Sequence, residues 1–167
     1  FVKLAGSVIW HSASERLSVL VLGTNDLVKE LYAEHVPGRA PLLPALGVAL
    51  LGARAAGKVI VDGVFNAFRD EAGLRAECDQ GRDMGFDGKT LIHPAQLDIA
   101  NEVFAPGADE IDLARRQIDA YAQARARGDG VAVLDGRIVE NLHVATARAL
   151  IARAEAIAAL SIAAGAV

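Results

Sequence analysis

Leu17-Ser-Val-Leu-Val-Leu-Gly-Thr-Asn-Asp-Leu27 is an aliphatic run that stops at a glycine and passes through a short polar turn into an amphipathic stretch. That texture predicts a strand over Leu17–Leu22, and it recurs twice. Lys58–Asp62 is a second apolar run, closed by Gly63, and Lys89–Ile92 a third, stopped before Pro94, which has no amide hydrogen to continue a ladder. Between the runs lie Ala-, Leu- and Arg-rich stretches with helical spacing. Such alternation predicts βα units and a parallel sheet, and runs this apolar suit strands covered on both faces.

The intervening helices carry readable punctuation. Pro41 and Pro44 fit a first turn, Leu46, Leu50 and Ala53 follow at helical spacing, and Gly57 stands where a C-terminal cap belongs. Asp70 is placed to cap a helix that runs through Met84 and ends at Gly85, and Leu27–Tyr32 reads as a short helix after the first turn. Pro94 begins a short helix through Phe104. After Pro106 and Gly107, Asp109 and Glu110 start a longer one, with Ile111, Ala114, Ile118, Tyr121 and Ala122 on one face, ended by Gly128 and Gly130. Val131–Val139 predicts a hairpin turning on Asp135-Gly136, and an Ala-rich helix fills Asn141 to about Leu160. There is no internal repeat. Three βα units suit a doubly wound sheet or part of a barrel, and periodicity alone leaves both open. A complete (β/α)8 barrel needs about 250 residues, so this chain is long enough for part of one.

Composition narrows the function classes. The 167 residues are 53% apolar and 23% charged, with 17 basic against 21 acidic side chains and a net charge of −4. No block of Lys and Arg supplies phosphate contacts, which argues against nucleic-acid binding. The uncharged stretch from Ala156 to Val167 falls well short of the roughly 20 residues a membrane span needs, so no membrane association is expected. That apolar tail is expected to pack on a neighbouring element or subunit. The single cysteine, Cys78, excludes an intrachain disulfide and suits a reducing compartment, so a cytoplasmic location is expected. Phe1 stands where Met would begin a chain and no signal-peptide pattern follows, so a longer protein is expected. Phe1–His11 match nothing recognisable.

Chemistry is sought at the carboxyl ends of the strands, where parallel α/β folds bind ligands. Asp26, in the turn after the first run, has the hard oxygens that Mg²⁺ prefers. Two readings stand: metal ligand, or simple capping of the next helix by Thr24, Asn25 or Asp26. Asp62 ends the second run as a functional carboxylate or as an anchor for the loop beyond Gly63. Gly88-Lys-Thr90 tempts a phosphate-loop reading, but Asp83 stands where that motif needs glycine, and the tripeptide enters a strand instead of leaving one. His93 follows the third run without a Ser or Cys nucleophile beside it. His11, His35 and His143 share no metal-ligand spacing, so no zinc site is expected. Arg115 and Arg116, with Asp112 and Asp119, read as a solvated helix face.

Three motifs together are specific. Leu22-Gly-Thr-Asn-Asp-Leu27, Gly85-Phe-Asp-Gly-Lys-Thr-Leu-Ile-His-Pro-Ala-Gln96 and Val133-Leu-Asp-Gly-Arg-Ile-Val-Glu140 resemble the HpcH/HpaI aldolase and citrate lyase beta-subunit family of CoA-ester lyases, from about Ser14 to about Ala158. The resemblance implies an α/β fold that is the C-terminal part of a (β/α)8 TIM barrel. Residues 1–128 would hold the last three βα units and the following helix, and residues 129–167 a hairpin-helix extension reaching an adjacent subunit. It implies a homo-oligomer, commonly a trimer. The activity implied is Mg²⁺-dependent cleavage of a 3-hydroxyacyl-CoA (citryl-, malyl- or citramalyl-CoA) to an acyl-CoA and a 2-oxo acid.

Carried onto these residues, the resemblance makes Asp26 the second metal-binding carboxylate. The family's other metal ligand, a glutamate, and its substrate-binding arginine have no match here. The acidic residue of the extension falls on Glu140, where the family usually has aspartate. One added methylene moves the carboxyl by more than an ångström, a displacement that matters to catalysis, and the alternative for Glu140 is a helix-terminal residue interacting with the dipole. Cleaving the carbon–carbon bond leaves an enolate on the thioester fragment, so an oxyanion must be stabilised and protons moved. Gly23 and the amides around Thr24 and Asn25 would receive the 2-oxo acid carboxylate, Glu140 would exchange a proton with the enolate carbon, and His93 and Pro94 would line the CoA channel. Two other readings stand beside this one: a 2-oxo acid aldolase that uses no CoA, and a non-catalytic subunit if the chain is complete as given.

Overall fold

The computed structural model describes residues 16–164, with side chains through residue 160; His11 and the expected packing of the tail beyond residue 160 lie outside the described residues. The chain divides into two compact units, the first ending at Phe104 and the second beginning at Ala105.

In the first unit, β1 (Val19–Val21), β2 (Val59–Asp62) and β3 (Gly88–Lys89) form a parallel sheet in the order β1-β2-β3. Val19 pairs with Val59, Val21 with Val61, and Asp62 with Lys89. Side chains alternate along a strand, so Leu20, Ile60 and Asp62 turn one way and Val19, Val21 and Val59 the other. The first face meets the helices: Ile60 is buried and Leu20 packs on the same cluster. The second face is half exposed, whereas the apolar runs predicted cover on both sides.

The connecting helices are α1 (Thr24–Leu31), α2 (Leu43–Ala55), α3 (Glu71–Met84) and α4 (Leu97–Phe104). Pro44 lies in the first turn of α2, Leu46, Leu50 and Ala53 are buried, and Gly57 takes a φ of 62° just past the helix. The Asp70 carboxylate accepts from the Gly73 amide at 2.9 Å, and Gly85, at φ 102°, terminates α3. Leu42, Leu46, Ile60, Leu74, Phe86 and Phe104 close one apolar cluster against the sheet. Each fully buried leucine or isoleucine contributes about 1.5–3 kcal/mol relative to exposure.

Two expected boundaries are corrected. The third strand is Gly88–Lys89, not Lys89–Ile92, because its partner β2 ends at Asp62 and the ladder ends with it. The Thr90 amide still reaches the Asp62 carbonyl, but Ile92 donates to the Gln96 side chain. The helix expected from Leu27 begins at Thr24, since the Leu27 amide already donates to the Gly23 carbonyl at 2.9 Å. Pro94 begins a short 3-10 turn, Pro94–Gln96, that leads into α4.

The second unit holds α5 (Ala108–Ala126), β4 (Ala132–Leu134), β5 (Arg137–Val139) and α6 (Asn141–Ala164). The Glu110 carboxylate accepts from the Gly107 amide at 2.8 Å and starts α5. Strands β4 and β5 are antiparallel across Asp135-Gly136, whose φ values of 49° and 74° are those of a type I′ turn. The core is built of small residues: Ala124, Ala132, Val139 and Val144, with Ile118 and Tyr121 against them. Ala114 is buried as expected, but Ala122 is exposed and Ala124 takes the inner place. The compact units divide at 104/105, and α5 groups with the hairpin and α6.

Candidate functional site

The loops that leave β1, β2 and β3 at their carboxyl ends lie side by side, as the strand order requires. Gly23 is the N-cap of α1, with no side chain capping the helix. Thr24, Asn25 and Asp26 therefore form its first turn, and the capping reading of these three residues falls. Asp26 is exposed, and its carboxylate forms no hydrogen bond or ion pair among the described residues. Its Oδ2 leans back over Gly23, 3.3 Å from where a Cβ would stand. Thr24 is buried, and its hydroxyl oxygen has no hydrogen-bond partner. It packs against Gly63, where an added Cβ would lie 2.3 Å from that oxygen, so only glycine fits there. Asn25 and Asn66 exchange side-chain hydrogen bonds of 3.2 and 2.8 Å.

Asp62 is not available to a ligand. It shares its sheet face with Ile60, among the helices, and is completely buried. Its Oδ1 accepts from the Gly63 amide at 2.8 Å, and Arg39 Nη1 donates to both carboxylate oxygens at 2.8 and 2.7 Å. Lys89 Nζ, also fully buried, donates to Asp62 at 3.2 Å, Glu77 at 2.7 Å and the Gly63 carbonyl at 2.7 Å. Arg39 Nε donates to Gln80 at 2.7 Å. Two cations and two carboxylates thus balance under the loop, and the anchor reading of Asp62 holds. Lys89, from the rejected phosphate-loop tripeptide, works here as a loop bolt. Arg39, Glu77 and Gln80 escaped the sequence reading. Arg39 sits in the left-handed region at φ 56°, a conformation that favours glycine, and no local pattern announces it.

His93 Nδ1 accepts from the Ala95 amide at 3.1 Å, and the ring stacks on Phe68 with 4.5 Å between centroids. The Arg69 guanidinium lies 5.2 Å from the Phe68 ring centre. Pro94 is exposed beside them. Gln96 is completely buried: its amide donates to the Phe65 carbonyl at 2.9 Å while its oxygen accepts from Ile92. A cavity of about 380 Å³ lies between Val36–Arg39 and Phe65–Asp70; Asn66 lines it and Asp26 does not.

Burial pushes the Cys78 thiol up to about 11, which leaves it un-ionised and inert at neutral pH. In the second unit Glu140 directly precedes α6 and is exposed; its amide donates to His143 Nδ1 at 3.0 Å, and its carbonyl accepts from the Val144 amide. Asp26 and Glu140 belong to different units, and each is described within its own.

Among the described residues no group of three or more His, Cys, Asp or Glu converges on a metal position. At the carboxyl end of β1 they offer the free carboxylate of Asp26, on the first turn of α1. That fits an open Mg²⁺ site, in which one or two protein carboxylates leave the remaining positions to water and substrate oxygens.

A family model described as HpcH/HpaI aldolase/citrate lyase matches residues 6–94. A curated relative, the (3S)-malyl-CoA thioesterase of Cereibacter sphaeroides, is 64% identical over 148 residues, covering 89% of this chain and 52% of its own length. Citrate lyase subunit beta of Escherichia coli is 39% identical over 143 residues, 86% of this chain and 47% of its own. The chain thus spans about half the length of the curated relatives it matches. Among solved structures, the Mycobacterium tuberculosis CitE protein in complex with magnesium, acetoacetate and coenzyme A has a TM-score of 0.64 at 25% identity, covering 81% of this chain and 51% of that one. A citrate lyase from Burkholderia xenovorans reaches a TM-score of 0.77 at 21% identity, over 93% of this chain and 50% of its own, and speaks for the fold alone. Among the described residues no helix is long and apolar enough to cross a membrane.

Proposed function

Because the chain belongs to the HpcH/HpaI aldolase/citrate lyase family, we propose that it supplies part of the active site of a Mg²⁺-dependent enzyme acting on a malyl-type 3-hydroxyacyl-CoA. The observation that carries the reading is the Asp26 carboxylate, free and exposed in the helical turn at the carboxyl end of β1. The half-exposed apolar face of Val19, Val21 and Val59 supports reading the parallel sheet as an arc of a (β/α)8 barrel, whose interior such residues fill.

The 64% identity to a malyl-CoA thioesterase favours hydrolysis. Water adds to the thioester carbonyl, the oxyanion collapses, and the carbon–sulfur bond breaks with its electron pair leaving on the CoA sulfur, which takes up a proton. The 39% identity to a citrate lyase beta subunit favours a second reading, the carbon–carbon cleavage implied by the motifs. There the hydroxyl loses its proton and becomes a ketone, and the bonding pair passes to the thioester fragment as an enolate, which is then protonated at carbon. Both routes need an oxyanion stabilised and a proton moved.

When bound at Asp26, Mg²⁺ supplies a Lewis acid and a template for the substrate carboxylate and its neighbouring oxygen. The chain's own groups do the rest. Asp26 holds one side of that position. The backbone amides of Thr24 and Asn25, at the positive end of α1, bind the substrate carboxylate, and Gly23 leaves room for it. Glu140, reaching an adjacent subunit of a homo-oligomer, favoured as a trimer, takes the proton from water in hydrolysis or exchanges it with the enolate carbon in cleavage. His93 and Pro94, on the rim, flank the path of the CoA arm.

Malyl-CoA given to the complete protein separates the readings, because free thiol and free 2-oxo acid are assayed independently. Thiol without oxo acid is hydrolysis; oxo acid without thiol is cleavage. Asp26→Ala is expected to lower either activity by at least about 100-fold, more than loss of an outer-shell partner costs, with the fold retained. Unchanged turnover in that variant removes the metal role.

A further inference from the structure

The turn that carries Asp26 is closed by its own backbone, the Leu27 amide donating to the Gly23 carbonyl, but no side chain of its own caps it. Gly23 supplies no side chain to cap α1, and the Thr24 hydroxyl is unpartnered. Its side-chain support comes from the loop after β2. Asn66 Nδ2 donates to Asn25 Oδ1 at 2.8 Å, and Asn25 Nδ2 donates back to Asn66 Oδ1 at 3.2 Å. The same loop presses Gly63 against Thr24 so closely that no Cβ fits between them.

That loop is itself fixed from below. Lys89 grips the Gly63 carbonyl and Asp62 the Gly63 amide, while the buried Gln96 amide holds the Phe65 carbonyl. The outer end of this chain of contacts is Asn66, whose partner Asn25 is the residue immediately before Asp26.

We propose that Asn66 is a positioning residue: through its paired amide with Asn25 it holds the first turn of α1, and with it the Asp26 carboxylate, in the orientation that receives a divalent cation. This rests on the reading of Asp26 as a metal ligand. A helix end without a side-chain cap frays in its first turn, and Asn66 suppresses the fraying from outside the helix. Both hydrogen bonds of the pair are exposed to solvent, so losing them together is expected to cost no more than about two- to tenfold in cation affinity.

The test titrates Mn²⁺, as a probe for Mg²⁺, into the full chain by calorimetry, alongside exchange, without metal, of the Leu27 amide that closes the turn on the Gly23 carbonyl. Asn66→Ala is expected to weaken Mn²⁺ about fivefold and to speed exchange in that turn by a similar factor, with an unchanged melting temperature. Asn25→Ala should do the same, and the double variant no more than either alone, since both break one pair. Asp26→Asn should abolish the binding. If Asn66→Ala binds Mn²⁺ and exchanges like wild type while Asp26→Asn does not bind, the inference falls and the metal reading stands. Additive effects in the double variant also overturn it. If Asp26→Asn binds like wild type, the metal reading itself has failed, and exchange in the Asn66→Ala turn still shows whether the clamp exists.

Discussion

The two compact units differ in where their charge is used, although the first also has exposed pairs, Arg54 with Asp87 and Arg75 with Glu102. The first takes ions inside: the side chains of Asp62 and Lys89 are 0% exposed and that of Arg39 5%, and they tie β2, β3, α3 and the segment before α2 together. The second keeps its ion pairs in solvent, with Arg116 joining Asp112 and Asp135, and packs small residues, Ala124, Ala132, Val139 and Val144, at its centre. Buried ion pairs are poor general stabilisers, because desolvation offsets most of their attraction. Their use here is geometric. They fix the loop after β2, which in turn touches the Asp26 turn, whereas a hairpin and two helices need only close apolar contact.

That contrast can be broken from either side. Asp62→Ala should be the most damaging change, costing about 3–5 kcal/mol, because it strands two buried cations; a loss below about 1 kcal/mol in urea melts means the network is not what holds the first unit. In the second unit, Gly136→Ala puts a side chain at φ 74° and should cost about 1 kcal/mol, read as faster amide exchange across the hairpin. Smallest is Arg116→Ala, less than about 1 kcal/mol and fading as salt is raised, since all three members of its cluster are about half exposed or more. A large, salt-independent effect there would erase the distinction between the units.

Local signals in the chain were read well. The Asp70 cap, the glycines at 57 and 85, the Asp135-Gly136 turn and the helices they delimit follow from φ preferences and short-range hydrogen bonds, which a few neighbouring residues settle. Asp26 was singled out the same way, as a carboxylate just past an apolar run, and the structure places it exposed on the first turn of α1. The ends of β3 and α1 were misread because a strand ends where its partner ends, and a helix begins where its first carbonyl finds an amide.

Element type, order and the position of Asp26 were thus dictated by the order of residues, since periodicity and turn chemistry act over one or two turns of chain. The contacts around the candidate site were not. Arg39 meets Asp62 across 23 positions, Lys89 meets Asp62 across 27, and Asn25 meets Asn66 across 41. A lone arginine, lysine or asparagine reads as an ordinary surface residue until parallel pairing of β1, β2 and β3 sets their loops side by side. Burial, which turns such residues into a fixed support, is a property of the packed sheet and helices.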